Sequence, residues 1–389
     1  MKIQKIELAD FRNYESLTLR PGDGINLFFG RNGSGKTNLL EAIHYCALGR
    51  SHRVSGDQNV VRIGKKAAGC SVSVQTRLTR HDISVHLQPG ESGKKTIYID
   101  QTRAKRFSEL MGCLRLVIFS PEDPGMIRGG PSLRRRFLDM MISQLSKPYF
   151  IALQQYKSAM DQRNAILKDS RVLQQRIDPM IEDFEEAMTA SAVQIFESRS
   201  RLIDQLASSS LETYHRVSGR EEENFQLSYR CGFKNSDDPG ESLRKSLREN
   251  REEDRRLGFT SSGPHRDDIY MSLNKKDLKL FASQGQVRTA ALSIKLSQLE
   301  VLTRDGGDRP VLLLDDVMSE LDQVRRMNLL KEIGDTQTFV TCSDETDLAD
   351  FRDCRAYAVM NENGNASLRE TNRGIYDPEP ILAEPDFSL

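Results

Sequence analysis

The stretch Gly30-Arg31-Asn32-Gly33-Ser34-Gly35-Lys36-Thr37 follows the pattern G-x-x-x-x-G-K-[S/T]. Average residue frequencies produce such a match by chance in roughly one chain in a hundred of this length, so its surroundings decide its weight. Upstream, Ile25 to Phe29 is a short, wholly apolar run of the kind that forms a buried strand. Downstream, Leu39, Ile43, Cys46 and Ala47 recur on one face of a predicted amphipathic helix. Strand, glycine loop and helix together are what a phosphate cradle requires: small residues let backbone N–H groups converge on phosphate oxygens, and the helix start adds partial positive charge. Gly30, Arg31, Asn32, Gly33, Ser34, Gly35, Lys36, Thr37 and Asn38 are therefore the expected nucleotide-binding residues. Lys36 is expected to hold the β and γ phosphates, and Thr37 to offer its hydroxyl to Mg²⁺.

A nucleotide site of this class needs a carboxylate at the end of a neighbouring buried strand, and Val311-Leu312-Leu313-Leu314-Asp315-Asp316 supplies two. Asp315 is the expected metal residue; Asp316, one step further, is placed to polarise an attacking water as general base. Ahead of this strand, Ser283-Gln284-Gly285-Gln286 opens a helix with apolar Ala290, Ile294, Leu296 and Leu299. A serine cap and a glycine begin many helices, so this element gains meaning only from its position between the other two.

The remaining pattern predicts an α/β protein. Ile6 and Leu8, then Leu17 and Leu19, alternate with polar residues on either side of Phe11-Arg12-Asn13-Tyr14, which reads as a hairpin. Three alternating segments between residues 70 and 101 predict an antiparallel meander, and a further strand covers Leu114 to Phe119. From Pro131 the pattern turns helical, with Ser132 as a candidate cap, a helix over roughly 148–169, and a long helix opened by Asp178-Pro179 and running to about 215. Residues 234–256 carry mixed charge and read as a solvated helix and loop with little core. Strands return at 311–314, 338–341 and 356–360, the last paired through Asn363-Gly364 with a segment around Leu368.

Composition bounds the function. The 389 residues hold 56 lysines and arginines against 56 acids, so no global positive field draws the chain to nucleic acid and any DNA contact must come from local patches. The candidates are Arg103, Lys105 and Arg106, and Arg134, Arg135 and Arg136 with Arg128 nearby. Six scattered cysteines without a C-x-x-C pair suit buried thiols in a reducing compartment. With neither a long apolar run nor a signal-like start, the expectation is a cytoplasmic protein. His265-Arg266-Asp267-Asp268 offers too few ligands for a metal centre and reads as a salt-bridged corner, with Arg266 as a candidate phosphate or interface residue.

Taken together, these motifs resemble the ATP-binding-cassette ATPases of DNA maintenance, the group of the SMC proteins and Rad fifty-type repair ATPases, and within it the RecF family. The resemblance spans residues 1–370 and rests on DFRNY at 10–14, GRNGSGKTNLLEAI at 30–43, FSPEDP at 119–124, PSLRRRFLD at 131–139, GPHRDD at 263–268, SQGQVRTAALSIKL at 283–296 and LLLDDVMSELD at 312–322. It implies an ABC/SMC-type P-loop ATPase head with a mixed-sheet lobe I (1–119 and 300–370) and a mainly helical lobe II (120–299), while the prolines and acids of 371–389 read as a disordered acidic tail. It also implies that Ser283, Gly285 and Gln286 meet the γ-phosphate of ATP held by a second copy, that 319–322 cross that interface, and that Arg12 reaches the γ-phosphate of its own ATP. Ser120 and Thr341 or Cys342 stand where wider cassette ATPases carry a metal-sensing glutamine and a switch histidine, and these roles are left unassigned. The implied function is ATP- and Mg²⁺-dependent dimerisation on duplex DNA beside single-strand gaps, with slow, DNA-stimulated hydrolysis, in recombinational repair with RecR and RecO. Two other readings stay open: a nucleotide-dependent scaffold without useful turnover, and a P-loop small-molecule kinase, which would have no use for Ser283 to Gln286.

Overall fold

The structure, a computed structural model, describes residues 1–54, 56–88, 94–169, 178–233, 237–343, 351 and 354–371. The chain opens with β1 (Lys2–Phe11), β2 (Tyr14–Leu19), β3 (Ile25–Phe29) and α1 (Lys36–Leu48). Next come β4 (Ala68–Gln75), β5 (Arg80–Gln88), β6 (Lys94–Ile99), β7 (Thr102–Arg103) and β8 (Leu116–Phe119). The middle holds α2 (Pro124–Arg128), α3 (Pro131–Leu145), α4 (Lys147–Asp169), α5 (Asp178–Ser218), β9 (Phe225–Arg230), α6 (Pro239–Glu249), α7 (Arg251–Leu257), β10 (Asp268–Leu273), β11 (Lys276–Asp277), α8 (Leu278–Phe281) and α9 (Gln284–Gly306). The described chain closes with β12 (Val311–Asp315), α10 (Gln323–Ile333), β13 (Thr338–Cys342), β14 (Cys354–Glu362) and β15 (Asn365–Thr371).

A mixed sheet in the order β15-β14-β3-β13-β12-β8 draws strands from both ends of the described chain. Only β15 runs antiparallel to its neighbour. A second, antiparallel sheet, β2-β1-β4-β5-β6-β7, contains the expected hairpin and meander. Successive side chains on a strand point to opposite faces, and β12 divides accordingly: Val311 and Leu313 join a core shared with α1 and the antiparallel sheet, while Leu312 and Leu314 join the core of the helical region. Both faces are covered, which is why Val311 to Leu314 is an unbroken apolar run.

Several expectations change. Helix α1, expected to bury one stripe, buries eleven of its thirteen residues, because it lies between the two sheets. Helix α3 begins with Pro131 at its first position and Gly130 as N-cap, so Ser132 lies inside the helix; proline's fixed φ and missing N–H suit that first position. The mixed-charge stretch contributes to the core after all: Leu243 and Leu247 of α6 are fully buried, and Asp254 of α7 pairs with the buried Arg163 at 2.8 Å. Its residues 234–236 lie outside the described residues, as does the tail from 372 onward, whereas Thr371 ends β15. The expected boundary between 299 and 300 falls inside α9, which runs unbroken to Gly306.

Candidate functional site

Strand β3 ends at Phe29 and is followed by Gly30, whose φ of +149° and backbone position exclude a side chain: a Cβ there would sit 2.4 Å from the carbonyl oxygen of Val359. Gly35, at φ +120°, caps α1, and a Cβ there would meet the Asn13 carboxamide at 2.8 Å. The loop between them is fixed through its carbonyls. Asn361 Nδ2 donates to Gly33 O at 3.1 Å, Asn13 Nδ2 to Ser34 O at 3.0 Å, and the Tyr14 hydroxyl to Gly35 O at 3.1 Å. The Ser34 hydroxyl is buried in the cradle without a hydrogen-bond partner, and the first turn of α1 carries N–H groups that no helix can satisfy internally, so the loop is a ready anion cradle. The Lys36 ammonium donates to Gly30 O (2.5 Å) and Arg31 O (3.1 Å). Burial holds its pKa below the ordinary lysine value, against the opposing pull of Asp316, Cys342 and Asp315.

Parallel register brings the carboxylates to the same edge. Strand β13 lies between β3 and β12, pairing Thr341 with Phe28 on one side and Asp315 on the other. Asp315 Oδ1 accepts from the Thr37 hydroxyl at 2.7 Å and the Thr341 hydroxyl at 2.9 Å. Burial raises the Asp315 pKa, while those two hydroxyls and Arg53 act in the opposite direction. A hydroxyl and a carboxylate are hard oxygen donors that fit Mg²⁺, which fills its other positions with water and phosphate oxygens. Among the described residues no group of three or more His, Cys, Asp and Glu side chains is placed to hold a metal by itself.

Asp316 adopts φ +52°, a left-handed conformation that Asp tolerates better than longer side chains, turning it out of the strand line. Its N–H donates to Thr341 Oγ1 at 2.9 Å, and its carboxylate accepts from Ser343 at 3.1 Å. Thr341 thus holds the Asp315 carboxylate and the Asp316 backbone, a function that sequence reasoning missed and that only the strand order reveals. Asn13, Tyr14 and Asn361 were missed for the same reason. Ser120 is bound through its N–H to Asp123 at 2.9 Å.

Arg12 stands beside α1, but its guanidinium is committed to the buried Glu41 through two 2.8 Å bonds and to the Asn59 carbonyl at 2.5 Å. Arg31 and Asn32 are exposed at the loop tip. Ser283, Gly285 and Gln286 do not join the loop: with Tyr214, Glu223 and Asp322 they line a separate concavity that includes no phosphate-loop residue. Ser283 caps α9 and is exposed. Within this chain Gln286 accepts from Ser283 N at 2.9 Å and donates to Glu223 at 2.9 Å, so its carboxamide braces the start of α9.

The two basic clusters differ. Arg134 is buried, forked onto Asp268 at 2.6 and 3.0 Å; Arg135 donates to Asp267 O, Arg136 to Ser51 O, and Arg128 to the carbonyls of Lys279 and Ala282. Arg103, Lys105 and Arg106 are exposed at the edge of the antiparallel sheet. In the 265–268 corner, Asp267 is fully buried against Arg199 at 2.6 Å, His265 contacts the Tyr156 hydroxyl at 2.7 Å, and Arg266 lies over Phe259. No helix among the described residues is long and apolar enough to cross a membrane.

Residues 2–367 match the family described as the RecF/RecN/SMC N terminal domain. A protein of Clostridium novyi (strain NT) named DNA replication and repair protein RecF is 35% identical over 94% of this chain and all of its own length. A RecF protein of Clostridium perfringens (strain SM101 / Type A) is 37% identical over 93% of this chain and 99% of its own. Among solved structures, the recombination mediator protein RecF-ATP in the RecFOR pathway superposes with a TM-score of 0.87 at 32% identity, covering 94% of this chain and 97% of that one. An Smc head domain derived from Pyrococcus furiosus shares the fold with a TM-score of 0.55 at 17% identity, covering 95% of this chain and 96% of that one. An α/β head of the ABC/SMC type, matched along nearly its whole length, identifies the chain as a member of the RecF family of DNA replication and repair proteins.

Proposed function

We propose that the protein is an ATP-dependent DNA-binding ATPase of recombinational repair and replication restart, which dimerises on ATP, binds duplex DNA beside single-strand gaps and resets by slow, DNA-stimulated hydrolysis. The observation that carries this reading is the 2.7 Å contact between Thr37 and Asp315, residues 278 positions apart that meet beside a glycine cradle. Thr37 and Asp315 would hold Mg²⁺, which supplies positive charge to the nucleotide phosphates. Gly30 to Asn38 bind the phosphates through backbone N–H groups, and Lys36 turns its ammonium from the loop carbonyls to the phosphate oxygens. Asp316, turned out of the strand, accepts the proton of the attacking water. Arg12 retains N–H groups beyond those given to Glu41 and Asn59, and these serve the γ-phosphate.

Ser283 and the exposed start of α9 face the nucleotide of a second copy, with 319–322 crossing the interface. These donors find full use only on a γ-phosphate, so ATP closes the dimer and its hydrolysis opens it. Residues 1–119 with the strands after α9, and the helical region from 120 to the end of α9 at Gly306, act as the two lobes. The exposed Arg103, Lys105 and Arg106 are the DNA contact, giving backbone binding without base readout. RecR and RecO are the partners, since a solved relative is described within the RecFOR pathway.

The test is the mass in solution of wild type and Ser283→Arg with ADP, ATP or no nucleotide, each with and without a gapped duplex. Wild-type dimers with ATP alone, strengthened by DNA and lost in the variant, are the expected result. A monomer under every condition would overturn the reading.

A further inference from the structure

Glu223 lies in the segment between α5 and β9 and is 7% exposed. Its Oε1 accepts from Gln286 Nε2 at 2.9 Å and from Arg220 Nη1 at 3.0 Å, and its Oε2 accepts from the Tyr214 hydroxyl at 2.5 Å. Burial would raise the carboxyl pKa, but donors from Tyr214, Gln286 and Arg220 outweigh it, and the group is held below the usual glutamate value. It is therefore an ionised, acceptor-only side chain.

That charge state has a directional consequence. A carboxamide has one accepting and one donating end, and its orientation is set by its neighbours. Because Glu223 can only accept, it draws the NH₂ of Gln286 and leaves Oε1 facing the Ser283 N–H, where it accepts at 2.9 Å. The Gln286 N–H in turn donates to Ser283 Oγ at 3.2 Å, closing the capping box. Reversing the carboxamide would set NH₂ against N–H and open the box.

We propose that Glu223 is a positioning residue that fixes the orientation of Gln286 and thereby presents Ser283 to the ATP of a second copy. This rests on the ATP-dependent dimer proposed above. It makes the end of α5 part of the apparatus that serves a neighbour's nucleotide, although Glu223 touches no nucleotide itself.

The test compares Glu223→Ala, Glu223→Gln and Glu223→Lys for ATP affinity of the monomer, ATP-dependent dimerisation, and dimer formation after mixing with Lys36→Ala. The expected result for Glu223→Ala is ATP affinity within about twofold of wild type and dimerisation weakened about tenfold, the scale of one lost charge-assisted hydrogen bond. Glu223→Gln, which keeps an acceptor, recovers part of the loss; Glu223→Lys, which demands the opposite carboxamide orientation, falls below Glu223→Ala. Mixing Glu223→Ala with Lys36→Ala restores dimers, because one composite site then joins an intact loop to an intact Ser283. Unchanged dimerisation, or ATP affinity falling in parallel with it, overturns the proposal. So does failure of this mixture where a control mixture of Ser283→Arg with Lys36→Ala succeeds. If wild type forms no dimer with ATP, the dimer reading itself falls and takes the role of Glu223 with it. If Glu223→Ala does not fold, Glu223→Gln and Glu223→Lys carry the same comparison.

Discussion

The phosphate loop and the start of α9 are built on opposite plans. The loop is tied down by its carbonyls, backed by Asn13, Tyr14 and Asn361, and joined to Asp315 across a parallel sheet. The start of α9 is open at Ser283 and Gln284 and closed by a capping box, with Leu280, Phe281, Val324 and Met327, each more than half exposed, before it and on α10. A loop whose carbonyls are tied and whose apolar neighbours are buried holds its shape alone while leaving its N–H groups for an anion, whereas exposed apolar side chains around a helix start gain by being covered. The contrast suits a nucleotide bound by one copy and capped by another.

The sharpest way to break this contrast is Asp316→Asn. Asn tolerates the same left-handed backbone, so the fold and the Thr37–Asp315 pair remain, and hydrolysis should fall about 1000-fold, in the range of a lost general base. Dimerisation on ATP should persist, because the start of α9 is untouched. Single-turnover hydrolysis beside solution mass checks both, and a rate within threefold of wild type would remove Asp316 from the chemistry.

Buried and exposed arginines sharpen the contrast further. Arg134→Ala leaves Asp268 without its forked partner and should cost about 3 kcal/mol of stability, read from denaturant unfolding. Replacing Arg103, Lys105 and Arg106 together with alanine should change stability by less than about 1 kcal/mol. It should instead lower the slope of log affinity for duplex DNA against log salt by about 2 to 3, one counterion per lost contact. An unchanged slope would move the DNA contact elsewhere.

The smallest effect is on pH. Burial depresses the pKa of His265 to about 4 and of His52 to about 3, below the ordinary 6.5, so the folded state keeps both neutral while the unfolded chain takes up protons. Their contribution is complete above pH 6.5 and is lost progressively as pH falls toward 4. The thermal midpoint should decline over that window, and His265→Gln should flatten the decline in the helical region without altering ATP binding. A midpoint equally steep in wild type and variant would show that His265 does not titrate on unfolding.

Local rules made the loop legible. Glycines at positive φ, a lysine and threonine at a helix start and an apolar run before them act within a dozen residues, and Val311 to Asp316 could be read as a strand ending in two acids for the same reason. The start of α9 was legible as a cap through Ser283 and Gln286. Which arginines are free was not legible, because Arg134 to Arg136 look alike until their partners at Asp268, Asp267 and Ser51 are known. The solvated appearance of 234–256 misled because Arg163, far away on α4, neutralises Asp254 and lets that segment into the core.

The sequence by itself thus determined what acts over one strand, one turn or one helix cap: the phosphate cradle, the alternation of the strands, the two adjacent acids and the capping serine. Only the tertiary structure decided the placement of β13 between β3 and β12, which brings Thr341 to Asp315, the pairing of Glu223 with Gln286, and which arginines are tied within the chain, Arg134 in a buried ion pair and Arg128, Arg135 and Arg136 to backbone carbonyls. The physical reason is range. Hydrogen bonds and ion pairs between residues tens or hundreds of positions apart depend on strand order and packing, and neither leaves a period or a spacing in the chain.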